Sequence, residues 1–354
     1  MKVLHLPHNV ASKISITVDA LNSKGIDAKG IAINNQANQN ARNILTINPA
    51  AYSFLEPGKY FSVIKSFYKL YRLIEWADIV HWYFDYRVLH SAWALNHIRK
   101  LDKPAVVEWA GSDIRIPEIL AKNNPYYAAS FKEDYEYQYE SLGHSRDMQQ
   151  KFRAAGFTAL VRPELEDFIQ RDIFPDYYKI NNRIDVKNIQ PCYPAVDNKK
   201  PLVIHASTAR HAKGTGYILN AIEALKSRFD LEFVLIENMP ALKIHELMKR
   251  ADIVIDQLIL GAFGTTALEA MAYGKPVICY IEPELEKKTG ESLPIVNASP
   301  DTIAEKLEIL IQSPEMRNEK GKQGRGYVEQ YHNAEKIALQ LIDIYRGIID
   351  RKKK

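Results

Sequence analysis

Residues 251–281 read ADIVIDQLILGAFGTTALEAMAYGKPVICYI. The segment opens on an apolar run, Ile253 to Leu260, broken only by Asp256 and Gln257. Runs of this kind form parallel strands buried on both faces. A glycine-bounded loop follows, Gly261-Ala262-Phe263-Gly264, and then Thr265 or Thr266 can cap a helix through Leu268, Glu269, Ala270 and Met271. Gly274 ends that helix, Pro276 prevents its resumption, and Val277 to Tyr280 is the next strand. The order is strand, glycine loop, helix, strand. The loop then lies where free backbone N–H groups and the helix dipole favour an anion such as a phosphate. Glu269 falls about one turn into the helix, within reach of whatever rests on the loop. A plain packing unit, with glycines that only let helix and sheet approach, is the alternative on pattern alone.

Upstream of this segment, helix Ala241 to Arg250 follows strand Leu231 to Ile236, which ends in Glu237-Asn238. Before it come strand Leu202 to His205 and helix Gly216 to Ser227. The loop between them reads ASTARHAKGT, residues 206–215, and places Arg210 and Lys213 after a strand. Arginine offers a planar fork and lysine a point charge, so together they can neutralise a diphosphate. A solvated basic loop is the simpler alternative. Downstream, Pro294 to Val296 reads as a strand, and Asp301 to Ile311, Arg325 to Tyr331 and Ala334 to Ile349 as helices. Arg351 to Lys354 is a basic tail that should fray.

The first half repeats the same alternation. Strands are expected at Lys2–Leu6, Ala28–Ile33, Ala77–His81, Ala105–Trp109 and Thr158–Arg162. Helices are expected at Ser15–Ser23, Ser91–Arg99, Ser145–Ala155 and near Leu165–Gln170. Asn34 to Asn43 is polar and reads as mobile, and Trp82, Tyr83, Asp85, Tyr86 and Arg87 read as a loop after a strand. Residues 125–141 carry Tyr126, Tyr127, Tyr135, Tyr137 and Tyr139, and the glutamates among them favour a helix. In GKYFSVIKSFYKLYRLIEWADIV, apolar Phe61, Ile64, Phe67, Tyr68, Tyr71 and Ile74 recur at helical spacing. Lys65, Lys69 and Arg72 share one face of that helix. That face is either solvated or rests on anionic lipid with its aromatics at the interface.

A chain of 354 residues implies about two domains. Asn181 to Lys200, with Pro191, Pro194 and a polar run, reads as the boundary. The expected division is 1–190, 197–333 and a last helix over 334–354. Two cysteines, Cys192 and Cys279, lie in no metal-ligand spacing, which favours a reducing compartment over a disulfide framework. The start is too polar for a secretory signal. No apolar run approaches the roughly 20 residues of a membrane span. A cytoplasmic protein is expected, peripheral at most on the inner face of the membrane. The net charge of +4 permits anionic substrates without demanding them, and no nucleic-acid motif is present.

The wording GAFGTTALEAMAYGKPVI resembles the donor-binding signature of retaining glycosyltransferases of family 4. Arg210-x-x-Lys213-Gly214 is similar to a second element of that family, and Ala110-Gly111-Ser112-Asp113-Ile114-Arg115 to a third. The resemblance implies an α/β fold of the GT-B type: two Rossmann-like domains facing across a cleft, with a C-terminal helix crossing back to the first. It implies a hexosyltransferase-type enzyme that moves a sugar from a nucleotide-diphosphate sugar to a hydroxyl of a glycan or lipid-linked acceptor, without metal or added cofactor. Arg210 and Lys213 would stabilise the leaving diphosphate. Gly261, Phe263, Gly264, Thr265, Thr266 and Glu269 would hold the donor, Glu269 by ribose hydroxyls, with Glu237 near the base. Gly111, Ser112, Asp113 and Arg115 would line the acceptor side. The family carries a glutamate on the glycine loop, toward the donor sugar, where this chain has Gly261. It carries a histidine where this chain has Ala110, a contact His81 could supply instead. A non-catalytic sugar-nucleotide binder or partner subunit is the second reading. A phosphorylase or epimerase on the same fold is a third, disfavoured by the wording around Glu269.

Overall fold

The computed structural model describes residues 1–33, 43–47, 57–84, 89–132, 134–290 and 292–353, with side chains left aside at 57–63 and 89–91. The expected mobile stretch, apart from Asn43, and Asp85, Tyr86 and Arg87 lie outside these residues, as does the side chain of Phe61. The chain divides into two compact α/β units. The first comprises Met1–Arg115, Leu142–Arg183 and Ala334–Lys354, the second Ile116–Ser141 and Ile184–Asn333.

The first unit is built on seven parallel strands: β1 (Lys2–Pro7), β2 (Asp27–Ile33), β3 (Ile44–Ile47), β4 (Ile79–Tyr83), β5 (Ala105–Glu108), β6 (Thr158–Val161) and β7 (Tyr177–Lys179). Their order is β3-β2-β1-β4-β5-β6-β7. Every residue of β4 and β5 is buried, as a sheet covered on both faces requires. Helices Lys13–Ser23 and Ala334–Lys353 cover one face, where Val18, Leu21, Leu341 and Tyr345 join Val3, Ile79 and Val106 in one core. Trp82 and Tyr83 belong to β4 and not to the following loop, because the ladder with β5 runs on to the pair Tyr83 and Glu108. The edge strands β3 and β7 carry too few buried apolar residues to show in the sequence.

The second unit has five parallel strands: β8 (Leu202–Ala206), β9 (Glu232–Ile236), β10 (Ile253–Ile255), β11 (Val277–Cys279) and β12 (Val296–Asn297), in the order β12-β11-β10-β8-β9. β10 is shorter than its apolar run. Asp256 and Gln257 turn away from the ladder to bond the loop that follows, through Gly264 N and Ala262 O. Helix Pro314–Tyr331 is far longer than expected. Its three glycines and its polar run hide it in the sequence, yet the close approach requires two of them. A Cβ at Gly321 would lie 2.1 Å from the Gly274 carbonyl oxygen, and one at Gly324 would lie 2.8 Å from Met271 Cγ.

The tyrosine-rich segment is not the expected single helix. After a short helix, Pro125–Ser130, the chain proceeds in turns. Its aromatics gather into one cluster from irregular turns, so no period survives. Tyr127 and Tyr135 are buried with Ala209, Ala212 and Ile259, and Asn124 Nδ2 donates to Ile259 O at 2.7 Å. This segment therefore packs with the second unit, although it precedes residue 190. The chain enters the long part of that unit at Ile184, whose N–H donates to His332 O at 2.8 Å.

Candidate functional site

In an open parallel sheet, ligands bind beyond the carboxyl ends of the strands where the order reverses. In the second unit that point lies between β8 and β10. The loops that leave those two strands are the two that the sequence singles out. Leu258 N donates to Lys213 O at 3.0 Å and ties them together. His205, buried in β8, spans the same junction. Its Nδ1 lies 2.9 Å from Ile255 O and its Nε2 2.9 Å from Thr215 Oγ1. Burial pushes the ring down to about 4, so it is neutral and shapes the loops.

Both expected cations reach the site, and each has a carboxylate. Lys213 Nζ lies 3.0 Å from Asp256 Oδ1. Asp256 is fully buried, and its Oδ2 accepts from Gly264 N at 2.5 Å. Arg210 forks onto Glu237 at 2.7 and 2.6 Å, so Glu237 is the partner of a cation here. The interruption of the apolar run at Asp256 was the sequence signal for this pairing. Glu136 gave no such signal, since it comes from far along the chain. Its two oxygens accept from His211 N at 2.9 Å and Ala212 N at 3.0 Å.

Helix Thr265–Ala272 starts at Gly264 and faces the loop with a first turn of N–H groups that have no intrahelical acceptor. Thr265 and Thr266 are half-buried there. Phe263 turns inward, with its ring 5.9 Å from that of His332 and edge-on to it. Glu269 is half-buried one turn on. Among the described residues its carboxylate has no hydrogen bond or ion pair. Desolvation pushes the carboxyl up to about 7; Lys213 opposes this and Asp256 adds to it. Gly261 has φ +73, and the side chain of Glu282 lies against it.

The first unit holds the other expected residues. Asp113 is buried and shapes its own loop, accepting from Ala110 N at 2.9 Å and Gly111 N at 2.7 Å. Burial pushes its carboxyl up, against those backbone donors. Gly111, at φ +138, lets the Arg115 guanidinium lie where a Cβ would be 2.9 Å from Nη2. Ser112 is half-buried between them. His81 is in the interior of the unit. Its Nε2 is 3.2 Å from Glu108 Oε2 and its Nδ1 2.5 Å from Tyr345 OH. Burial lowers it to about 4. Glu108 also meets Lys13 Nζ at 3.1 Å and Arg183 Nη2 at 2.7 Å. His81 is thus part of a buried polar network that fastens the last helix to the sheet. Among the described residues, no group of three or more His, Cys, Asp or Glu could hold a metal ion, and no helix is long and apolar enough to cross a membrane.

Residues 232–327 match the family model of glycosyl transferases group 1. Comparison with curated proteins finds no match. Sucrose-phosphate synthase from Thermosynechococcus elongatus is similar in structure, with a TM-score of 0.63 and 16% identity over 99% of both chains. A glycosyltransferase from Rickettsia africae gives 0.59 and 13% over 98% of both chains. HepE of Anabaena, in complex with UDP-glucose, gives 0.59 and 13% over 98% of this chain and 100% of that one. At these identities the likeness is one of fold. The chain has the two parallel-sheet α/β domains of GT-B glycosyltransferases, and its second unit carries the group 1 segment.

Proposed function

We propose that this chain is a glycosyltransferase that takes a nucleotide-diphosphate sugar on its second unit and passes the sugar, with retention and without metal, to a hydroxyl of a glycan or lipid-linked acceptor. One observation carries the reading. The two loops at the switch point of the five-stranded sheet bring Arg210, Lys213, the glycine loop and the poised carboxyl of Glu269 to one place. The match of residues 232–327 to group 1 transferases supports it, and the HepE structure shows a protein of this fold with UDP-glucose bound.

In this mechanism Arg210 exchanges Glu237 for the diphosphate, Lys213 turns a remaining N–H to it while keeping Asp256, and the helix N–H groups at Thr265 and Thr266 add to the charge stabilisation. The sugar centre becomes oxocarbenium-like as its bond to the phosphate loosens. The acceptor hydroxyl attacks on the same face and its proton passes to a donor phosphate oxygen. Glu269 accepts from ribose hydroxyls, with Gly111, Ser112, Asp113 and Arg115 on the acceptor side. Helix Pro57–Trp76 exposes Ile64, Lys65, Tyr68, Lys69 and Arg72 together, the composition of a face that rests on anionic lipid. The protein would then work on the inner face of the membrane. Absence of pelleting with anionic vesicles at low salt would remove that contact.

A second reading, a non-catalytic sugar-nucleotide binder, draws on Gly261 and Ala110, which replace two side chains found in the resembled family. Calorimetric titration with nucleoside diphosphates and their sugars, without metal, on the wild type and Glu269→Ala tests both. Micromolar binding lost in the variant supports the donor site, and no binding at all refutes it. Donor hydrolysis measured alongside separates enzyme from binder.

A further inference from the structure

The space beside Gly261 is filled by a carboxylate from elsewhere in the chain. A Cβ built on Gly261 would lie 2.6 Å from Glu282 Cγ and 2.8 Å from its Cδ and Oε1. A side chain at 261 and Glu282 in this place therefore exclude each other. The backbone that carries Glu282 is held on both sides. Glu282 N donates to Gly261 O at 2.9 Å, and Tyr280 N to Gln257 O at 2.8 Å. Asn297 clamps the residue between them, accepting from Ile281 N at 2.9 Å and donating to Ile281 O at 2.8 Å. Pro283 then opens helix Pro283–Thr289 and holds Glu282 in extended backbone, φ −63 and ψ 139.

A glutamate side chain offers carboxyl oxygens that accept from hydroxyls. This one stands at the start of the glycine loop, whose other end leads into the N–H groups of helix Thr265–Ala272. On the proposed function, the sugar of a diphosphate held by those groups extends toward the loop's start. We infer that Glu282 accepts hydrogen bonds from the hydroxyls of the donor sugar and so selects among sugars, an assignment that rests on the glycosyltransferase reading. The glycine at 261 is then the condition for a contact delivered from the β11 side of the sheet.

The test is titration of wild type, Glu282→Gln and Glu282→Ala with UDP and UDP-glucose, GDP and GDP-mannose, and ADP and ADP-glucose. For the pair that binds wild type, the bare diphosphate should keep its affinity in both variants. The sugar ester should lose about tenfold or more, the worth of a hydrogen bond to a charged group. Unchanged affinity for the sugar ester overturns the assignment and leaves the glycosyltransferase reading standing. Equal losses for diphosphate and ester also overturn it, since they make Glu282 a loop-shaping residue. Failure of every probe to bind wild type refutes the donor site itself, and the assignment with it.

Discussion

Replacing Glu269 by glutamine keeps the shape of the side chain and removes its ability to ionise. In the folded protein desolvation raises the Glu269 carboxyl from its ordinary 4.5 to about 7. A carboxyl raised by folding binds more protons in the native state between those two values. Native stability therefore falls as pH rises through that window, and the loss persists above it. At 1.36 kcal/mol per pH unit the rise sets a ceiling of about 3 kcal/mol. Partial exposure of the side chain and solvent screening bring the expected figure to about 2 kcal/mol. Urea unfolding of the wild type and Glu269→Gln at pH 5 and pH 8 reads this out. The variant should exceed the wild type by about 2 kcal/mol at pH 8 and by much less at pH 5. An equal difference at both pH values would refute the claim that an ionising carboxylate is being desolvated.

Lys213→Ala should raise the transfer barrier by about 2–4 kcal/mol if the lysine acts as a preorganised charge, and turnover within a factor of two of wild type would remove it from the mechanism. It should also lose stability, because it strands the buried Asp256; pairing Lys213→Met with Asp256→Asn should restore the melting temperature and leave turnover low. Gly321→Ala should cost about 3 kcal/mol or more, since the added carbon meets a backbone carbonyl. Gly324→Ala meets the flexible Met271 and should cost less, a ranking that thermal unfolding settles. Arg183→Met should cost about 3–5 kcal/mol by leaving Glu108 short of its main partner, checked by denaturant melts.

Much of this molecule was legible because parallel strands buried on both faces write continuous apolar runs, and because glycine and proline mark their ends. Segment 251–281 shows both. Its helix, Thr265–Ala272, and the strand after it lie where the residues place them. What escaped reading depends on side chains that meet across long sequence distances. Glu136 on the amides of His211 and Ala212, Glu282 against Gly261, and Tyr345 against His81 leave no local pattern. His81 itself was misleading. The resemblance suggested a ligand contact for it, yet the partners that bury it come from β5 and from the last helix. The tyrosine-rich segment lacked any period because its rings gather into one cluster from a chain that runs in turns. The glycines of Pro314–Tyr331 disguised a helix whose close contacts demand them.

The second unit pairs its own cations, Arg210 with Glu237 and Lys213 with Asp256, while Glu136 covers two amides of the same loop. A small anion arriving there competes with acids tethered at high effective concentration. On the proposed function, inorganic phosphate displaces only Glu237 and gains little by it. On that same reading, a diphosphate spanning both loops displaces Glu237 and meets Lys213 in a single event, so the site discriminates by span as well as by charge. The same exchange runs in reverse once the sugar has left. The displaced Glu237 is held beside the Arg210 it gave up and can reclaim it as the spent nucleotide departs, so the loop acts as an ion exchanger that carries its own counter-ion.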